Sequence, residues 1–204
     1  MPGGVRQARN LYDSGQKYVD EIIRPLNLWS SGDAVLDIGC ANGRLAMQLV
    51  NDGIIYHGID IVDKCLDFCK TAFADYADFH FHHSDIRNGR YNKDGSLDPL
   101  DFAIPLPDRS IDVILASSLF THLGAMEVSR HYLDEIVRVS AINARFYSTW
   151  FTSPPHEEND SEDMTVYKRA EIIQTISQFF DIERAWGGLD NTAHHQMKVV
   201  GWKI

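Results

Sequence analysis

Apolar positions along the chain fall into two alternating periods. Val19, Ile22, Ile23 and Leu26 are spaced as one helix face, ending near Arg24 because Pro25 cannot donate inside a helix. Residues 34–38 are a short apolar run closed by Gly39, which reads as a buried strand entering a turn. Helical spacing follows at Leu45, Ala46, Leu49 and Val50, then a strand from Ile54 to Asp60, then a helix marked by Leu66, Cys69 and Phe73. Residues 78–84 alternate, Phe79 and Phe81 against His80 and His82, as a strand does. A fourth strand is predicted at Ile111–Ala116 and a fifth at Arg145–Phe151. Between them lies a helix carrying Val128, Tyr132, Leu133, Ile136 and Val137. Ile172, Ile173, Ile176 and Phe180 predict a last helix, and residues 181–186 and 195–202 two strands joined at Gly187-Gly188.

Alternating strands and helices predict an α/β fold: a doubly wound, Rossmann-like sheet of seven strands with helices on both faces. The sheet is mostly parallel. The last two strands have no helix between them, so the C-terminal strand runs antiparallel. The 204 residues suit one domain with a sizeable core. Residues 1–30 form its N-terminal helical segment or lid. Two stretches interrupt the repeat, residues 88–107 and residues 152–168, the second with Pro154, Pro155 and the acidic run Glu157, Glu158, Asp160, Glu162 and Asp163. Each is either a solvated surface loop or a substrate cap.

Charge narrows the partners. The formal net charge is −10, with no basic run, so nucleic acid is an unpromising substrate. No window of about 20 apolar residues predicts a membrane span. Residues 1–6 lack an apolar signal core, and three cysteines form no paired framework; together these predict a cytoplasmic protein. Cys65 and Cys69 share a helix face and read as small core residues. His80, His82, His83 and the distant His194-His195 complete no ligand set, so no metal is expected.

The chemistry concentrates after the first strand. In doubly wound sheets ligands bind beyond the carboxyl ends of the strands. There the chain reads Gly39-Cys40-Ala41-Asn42-Gly43-Arg44: a G-x-A-x-G turn with Arg44 where a dinucleotide fingerprint needs its third glycine, which argues against a nicotinamide cofactor. The stretch Val35-Leu36-Asp37-Ile38-Gly39-Cys40-Ala41-Asn42-Gly43-Arg44-Leu45-Ala46 resembles motif I of class I S-adenosylmethionine-dependent methyltransferases, of the small-molecule, methyltransferase domain 11/25-like type. His57-Gly58-Ile59-Asp60-Ile61, Phe81-His82-His83-Ser84-Asp85-Ile86 and Leu106 to Ile114 resemble that family's next three strand segments, in the right order. The family's Pro-Gly-Gly turn before strand five is replaced by Ser140-Ala141-Ile142-Asn143-Ala144, and its central motif I glycine by Ala41.

The resemblance implies a cofactor, S-adenosyl-L-methionine, and residues to hold it. Asp37, Gly39, Cys40, Ala41, Gly43 and Arg44 would meet the methionine moiety and sugar. Asp60 would accept from both ribose hydroxyls and Ile61 would face adenine. Ser84, Asp85 and Ile86 would read the adenine edge, and Ala116 and Ser117 would border the sulfur. Methyl transfer to a small organic O, N or C acceptor follows, with His122 as the candidate general base just past strand four. Phe120 is core or pocket wall, and Tyr12 and Lys17 are either solvated or close over the cofactor. Strand four ends Ala116-Ser117-Ser118-Leu119, without the Asn/Asp-Pro-Pro-aromatic sequence of enzymes that methylate nucleic-acid amines. Two other readings stay open: a non-catalytic cofactor-binding or partner protein, and a nicotinamide oxidoreductase.

Overall fold

The computed structural model describes residues 12–152, 165–187 and 196–204. One sheet holds β1 (Ala34–Ile38), β2 (Ile55–Asp60), β3 (Phe79–His83), β4 (Ile111–Ala116), β5 (Ser140–Thr152), β7 (Phe180–Gly187) and β8 (Gln196–Lys203), in the order β3-β2-β1-β4-β5-β8-β7. The pairs from β3 to β5 are parallel, and β8 runs antiparallel to both β5 and β7. An unforeseen eighth strand, β6 (Val166–Tyr167), adds in parallel to the end of β5, inside the stretch read as an insertion. Of that stretch, residues 153–164 lie outside the described residues, as do residues 1–11 and the pair His194-His195.

Side-chain alternation splits the core into two layers. Leu36, Ile38, Ile114 and Phe146 face α4 (Met126–Val139) and α5 (Arg169–Ile176), which contribute Tyr132, Leu133, Ile136, Ile172 and Ile176. Val35, Tyr56, Val113, Leu115 and Tyr147 face the other way. They pack against α1 (residues 12–18), α2 (Ala46–Leu49) and α3 (Asp63–Ala72). α1 does not stop at Pro25. It widens into a π turn at Val19–Ile23 and tightens into a 3-10 turn at Arg24–Leu26, where proline sits in the first turn and loses no internal hydrogen bond. Asn27, at φ 49°, ends it.

β5 starts at Ser140, five residues before the expected Arg145, because α4 runs straight into it. The Ser140 hydroxyl donates to Ile136 O at 2.6 Å, and Lys203 Nζ donates to Val137 O at 2.9 Å and Ser140 O at 2.7 Å. These bonds take up helix-end carbonyls that a glycine turn would otherwise leave exposed.

Chain direction decides where a ligand can sit. β1, β2, β3 and β4 all end on one edge, and strand order reverses between β1 and β4. The crevice opens at that reversal.

Candidate active site

After Ile38 the chain must turn at once into the next helix. Gly39 takes φ +80°, and its N–H and that of Cys40 both donate to Ile59 O, at 2.8 and 3.1 Å. Gly43 takes φ +76°, and a Cβ there would meet the Phe73 ring at 2.9 Å, so α3 closes against a bare backbone. Between them Ala41 is held at φ 47°. Its strain is offset by two bonds: the N–H donates to Asp60 Oδ2 at 2.7 Å, and its carbonyl accepts from Cys69 Sγ at 3.5 Å. Asp60 Oδ1 accepts the Val62 N–H at 2.8 Å. One carboxylate thus locks the turns after β1 and β2 together and keeps a free lone-pair site on each oxygen.

Beside this turn opens a cavity of about 610 Å³, within the range of small-ligand sites. Asp37, Gly39, Cys40, Ala41, Arg44, Asp60, Ile61, Ile86, Ser117 and His122, all expected from the sequence, line it. Gly43, Ser84, Asp85 and Ala116 do not. Gly43 is covered by Phe73, Ala116 is fully buried in the core, and buried Ser84 donates its N–H to Asp60 O at 3.0 Å. Asp85, expected at the adenine edge, bonds within the loop after β3. Its carboxylate accepts from Asn92 Nδ2 at 3.0 Å and from the N–H and hydroxyl of Ser96 at 3.1 and 2.7 Å. These bonds, above all the Ser96 hydroxyl, hold its pKa below the usual carboxylate value. It braces the loop after β3 and leaves the cavity wall to Ile86. Tyr12 and Lys17 are exposed and also lie off the wall; Phe120 is fully buried core, stacked 4.0 Å from Trp150.

At the closed end, buried Asp37 accepts the Tyr56 hydroxyl at 2.7 Å. Burial pushes its pKa up to about 6, against the opposing pull of that hydrogen bond and of Arg44. Arg44 lies 5.1 Å over the Tyr18 ring, and Tyr18 Oη bonds both Ser117 Oγ at 2.9 Å and Tyr147 Oη at 2.8 Å. This chain of hydroxyls carries α1 to the end of β4. Tyr18 showed no sequence signal beyond a helical position.

The open end is built from the loop after β3. Arg87, Asn88, Arg90, Tyr91, Pro99 and Phe102 line the cavity together with Leu119, Leu123, Val128 and Tyr132. Phe102 stacks on Tyr132 at 4.0 Å, nearly parallel. Behind it Arg138 donates to Ile104 O, Leu106 O, Glu135 and Asp108, pinning the segment to α4. Asn88 Nδ2 donates to His122 O at 3.2 Å, and Tyr91 Oη lies 3.5 Å from His122 Nε2 with the rings edge to face. His122 therefore lines the cavity while its carbonyl and ring contact the loop after β3.

His57 joins His80 and His82 in a stack across β2 and β3, with His57 Nδ1 3.2 Å from His82 Nε2. Burial, then the neighbouring imidazoles, lowers the His57 pKa to about 4. Among the described residues no three His, Cys, Asp or Glu side chains converge as a metal site. Burial raises the pKa of Cys40 and pushes that of Cys69 up to about 12, so both remain thiols.

A parallel sheet with this glycine turn, an acid ending β2 and a cavity at the strand reversal defines a class I methyltransferase-type site. The chain belongs to the Methyltransferase domain family, which matches residues 36–146. It is 28% identical over 116 residues to the O-antigen chain terminator bifunctional methyltransferase/kinase WbdD of Escherichia coli. Those residues make up 57% of this chain but only 13% of that protein. Solved structures share the fold. A SAM-dependent methyltransferase from Methanosarcina mazei superposes with a TM-score of 0.67 at 16% identity, over 89% of this chain and 97% of its own. One from Aquifex aeolicus gives 0.65 at 16% identity, over 98% of each. No helix among the described residues is long and apolar enough to cross a membrane.

Proposed function

We propose that the chain transfers a methyl group to a small organic acceptor bound at the open end of this cavity. The cofactor is S-adenosyl-L-methionine, whose sulfonium supplies an electrophilic methyl group. The observation that carries the reading is Asp60: a nearly buried carboxylate, oriented by two backbone N–H groups, that lines the cavity with Gly39 and Ala41 and has acceptor capacity beyond those two bonds. That is an acceptor for a pair of vicinal hydroxyls. Ile61 and Ile86 give an adenine ring apolar walls. Asp37 suits an ammonium at the closed end, and Arg44 a carboxylate.

Alignment is the chain's main contribution, since a thioether leaves readily. Ser117, tied through Tyr18 to Tyr147, lines the same cavity. His122 Nε2 is the nearest base for an acceptor that must lose a proton, and the Tyr91 hydroxyl orients it. The acidic chain and a cavity of about 610 Å³ favour a metabolite over nucleic acid. Small-molecule methyltransferases with bound cofactor or product among the fold relatives support this, including magnesium protoporphyrin IX methyltransferase from Synechocystis and geranyl diphosphate C-methyltransferase from Streptomyces coelicolor.

The test is transfer of labelled methyl from S-adenosyl-L-methionine into a metabolite extract. A labelled small molecule, absent with an Asp60→Ala variant, is the expected result. Cofactor binding with no methylated product across extracts and acceptor panels would instead mark a binding protein. A thermal shift with NAD alone would overturn the cofactor.

A further inference from the structure

Four tyrosines are buried among the described residues, and one of them differs from the rest. Tyr56 Oη donates to Asp37 at 2.7 Å, Tyr147 Oη meets Tyr18 Oη at 2.8 Å, and Tyr167 Oη meets Ser129 Oγ at 2.9 Å. Tyr132 is 4% exposed, and among the described residues its hydroxyl has no hydrogen-bond partner. Its contacts are made by the ring: Phe102 stacks on it at 4.0 Å and 6°, and His131 meets it edge-on at 6.5 Å. Burial alone acts on the phenol and raises its pKa, so it stays protonated. A hydroxyl taken out of water without a new partner is costly, and buried polar groups are normally satisfied.

Tyr132 lines the cavity, and so do its apolar companions Phe102, Leu123 and Val128. The wall is braced from behind. His131 Nε2 lies 2.8 Å from Phe102 O, and the Ile104 N–H donates to Glu135 at 2.9 Å, so α4 holds the Phe102 segment in place. The arginines of the same cavity wall are engaged elsewhere: Arg87 pairs with Asp98, and Arg90 lies over the Tyr91 ring and has a further partner. We propose that the Tyr132 hydroxyl recognises the methyl acceptor, an otherwise apolar molecule whose hydroxyl or carbonyl oxygen hydrogen-bonds to it. This rests on the methyl-transfer reading above and names its substrate class. A phenol donates to a carbonyl and accepts from a hydroxyl, so both oxygen types fit. An analogue without the oxygen leaves the phenol unpaired again, which is how such a site discriminates.

The probes are 2-naphthol and 2-methylnaphthalene, the same ring system with a methyl group in place of the hydroxyl. Their binding is measured by calorimetry with and without saturating S-adenosylhomocysteine. Tyr132→Phe is expected to shift the ratio of the two affinities about fivefold or more toward the methyl probe, while 2-methylnaphthalene and S-adenosylhomocysteine each bind within about twofold of wild type. The ligand-free variant is also expected to melt about 2–4 °C above wild type, because it loses an unpaired buried group. An unchanged affinity ratio, or a ligand-free variant that melts below wild type as it would on losing a hydroxyl already satisfied by trapped water, would overturn the proposal. So would a tenfold loss of S-adenosylhomocysteine affinity in Tyr132→Phe, which would place the hydroxyl against the cofactor. Failure of wild type to bind S-adenosylhomocysteine would sink the cofactor assignment instead, and the probes without it still report on Tyr132.

Discussion

Asp60 performs two tasks, and its substitution separates them. Asp60→Ala removes the partner of the Ala41 and Val62 N–H groups and the one carboxylate at the end of β2 that lines the cavity. A charged hydrogen bond is worth about 1.5–3 kcal/mol, so calorimetry should show S-adenosylhomocysteine binding weakened tenfold or more. Asp37 is the opposite case. Its folded pKa, about 6, lies above the ordinary 3.8, so the folded chain holds a proton that the unfolded chain has lost. Stability from this group is present below pH 4 and is lost as pH rises through 6, a cost of order 3 kcal/mol at neutral pH. Asp37→Asn, which still accepts from Tyr56, should therefore gain stability over wild type at pH 7.5 and about half as much at pH 5 in denaturant titrations, while binding the cofactor less tightly. An equal gain at both pH values would contradict the ionised, buried carboxylate.

At the scale of elements, the loop after β3 is held by its own first residue. Asp85 gathers Asn92 and Ser96, Arg138 ties residues 104–108 to α4, and Asn88 reaches His122. Asp85→Ala should make residues 87–102 more sensitive to limited proteolysis and lower S-adenosylhomocysteine affinity less than Asp60→Ala does. The reverse ranking would return Asp85 to direct contact with adenine. Gly43→Ala places a methyl group 2.9 Å from Phe73 at a left-handed φ, and should cost about 1–3 kcal/mol in thermal or chemical unfolding.

Across the whole molecule, periodicity and turn chemistry made the parallel sheet legible, because Leu36 against Val35 and Phe79 against His80 must face opposite layers. The positions of Gly39, Ala41 and Asp60 were legible for the same reason: a sharp turn after a buried strand needs a special backbone, and parallel strands end on one edge. The bonds from Asn92 and Ser96 to Asp85 were not legible, because those donors come from a loop without periodicity. Tyr132 was read as helix face, Phe102 as insertion, and Tyr18 was not singled out, because their pairings join distant stretches: Tyr18 to Ser117 and Phe102 to Tyr132. The same lack of local pattern hid β6, a two-residue strand defined only by its partner.

The account depends on the turn after β1 and the acid ending β2 acting as one adenosine-binding unit. Calorimetric titration of S-adenosylhomocysteine into wild type and Asp60→Ala, each checked for an intact thermal transition, tests it most directly. The account predicts saturable one-site binding to wild type and at least tenfold weaker binding to the folded variant. Equal affinity in the two proteins, or no binding to wild type, would contradict it.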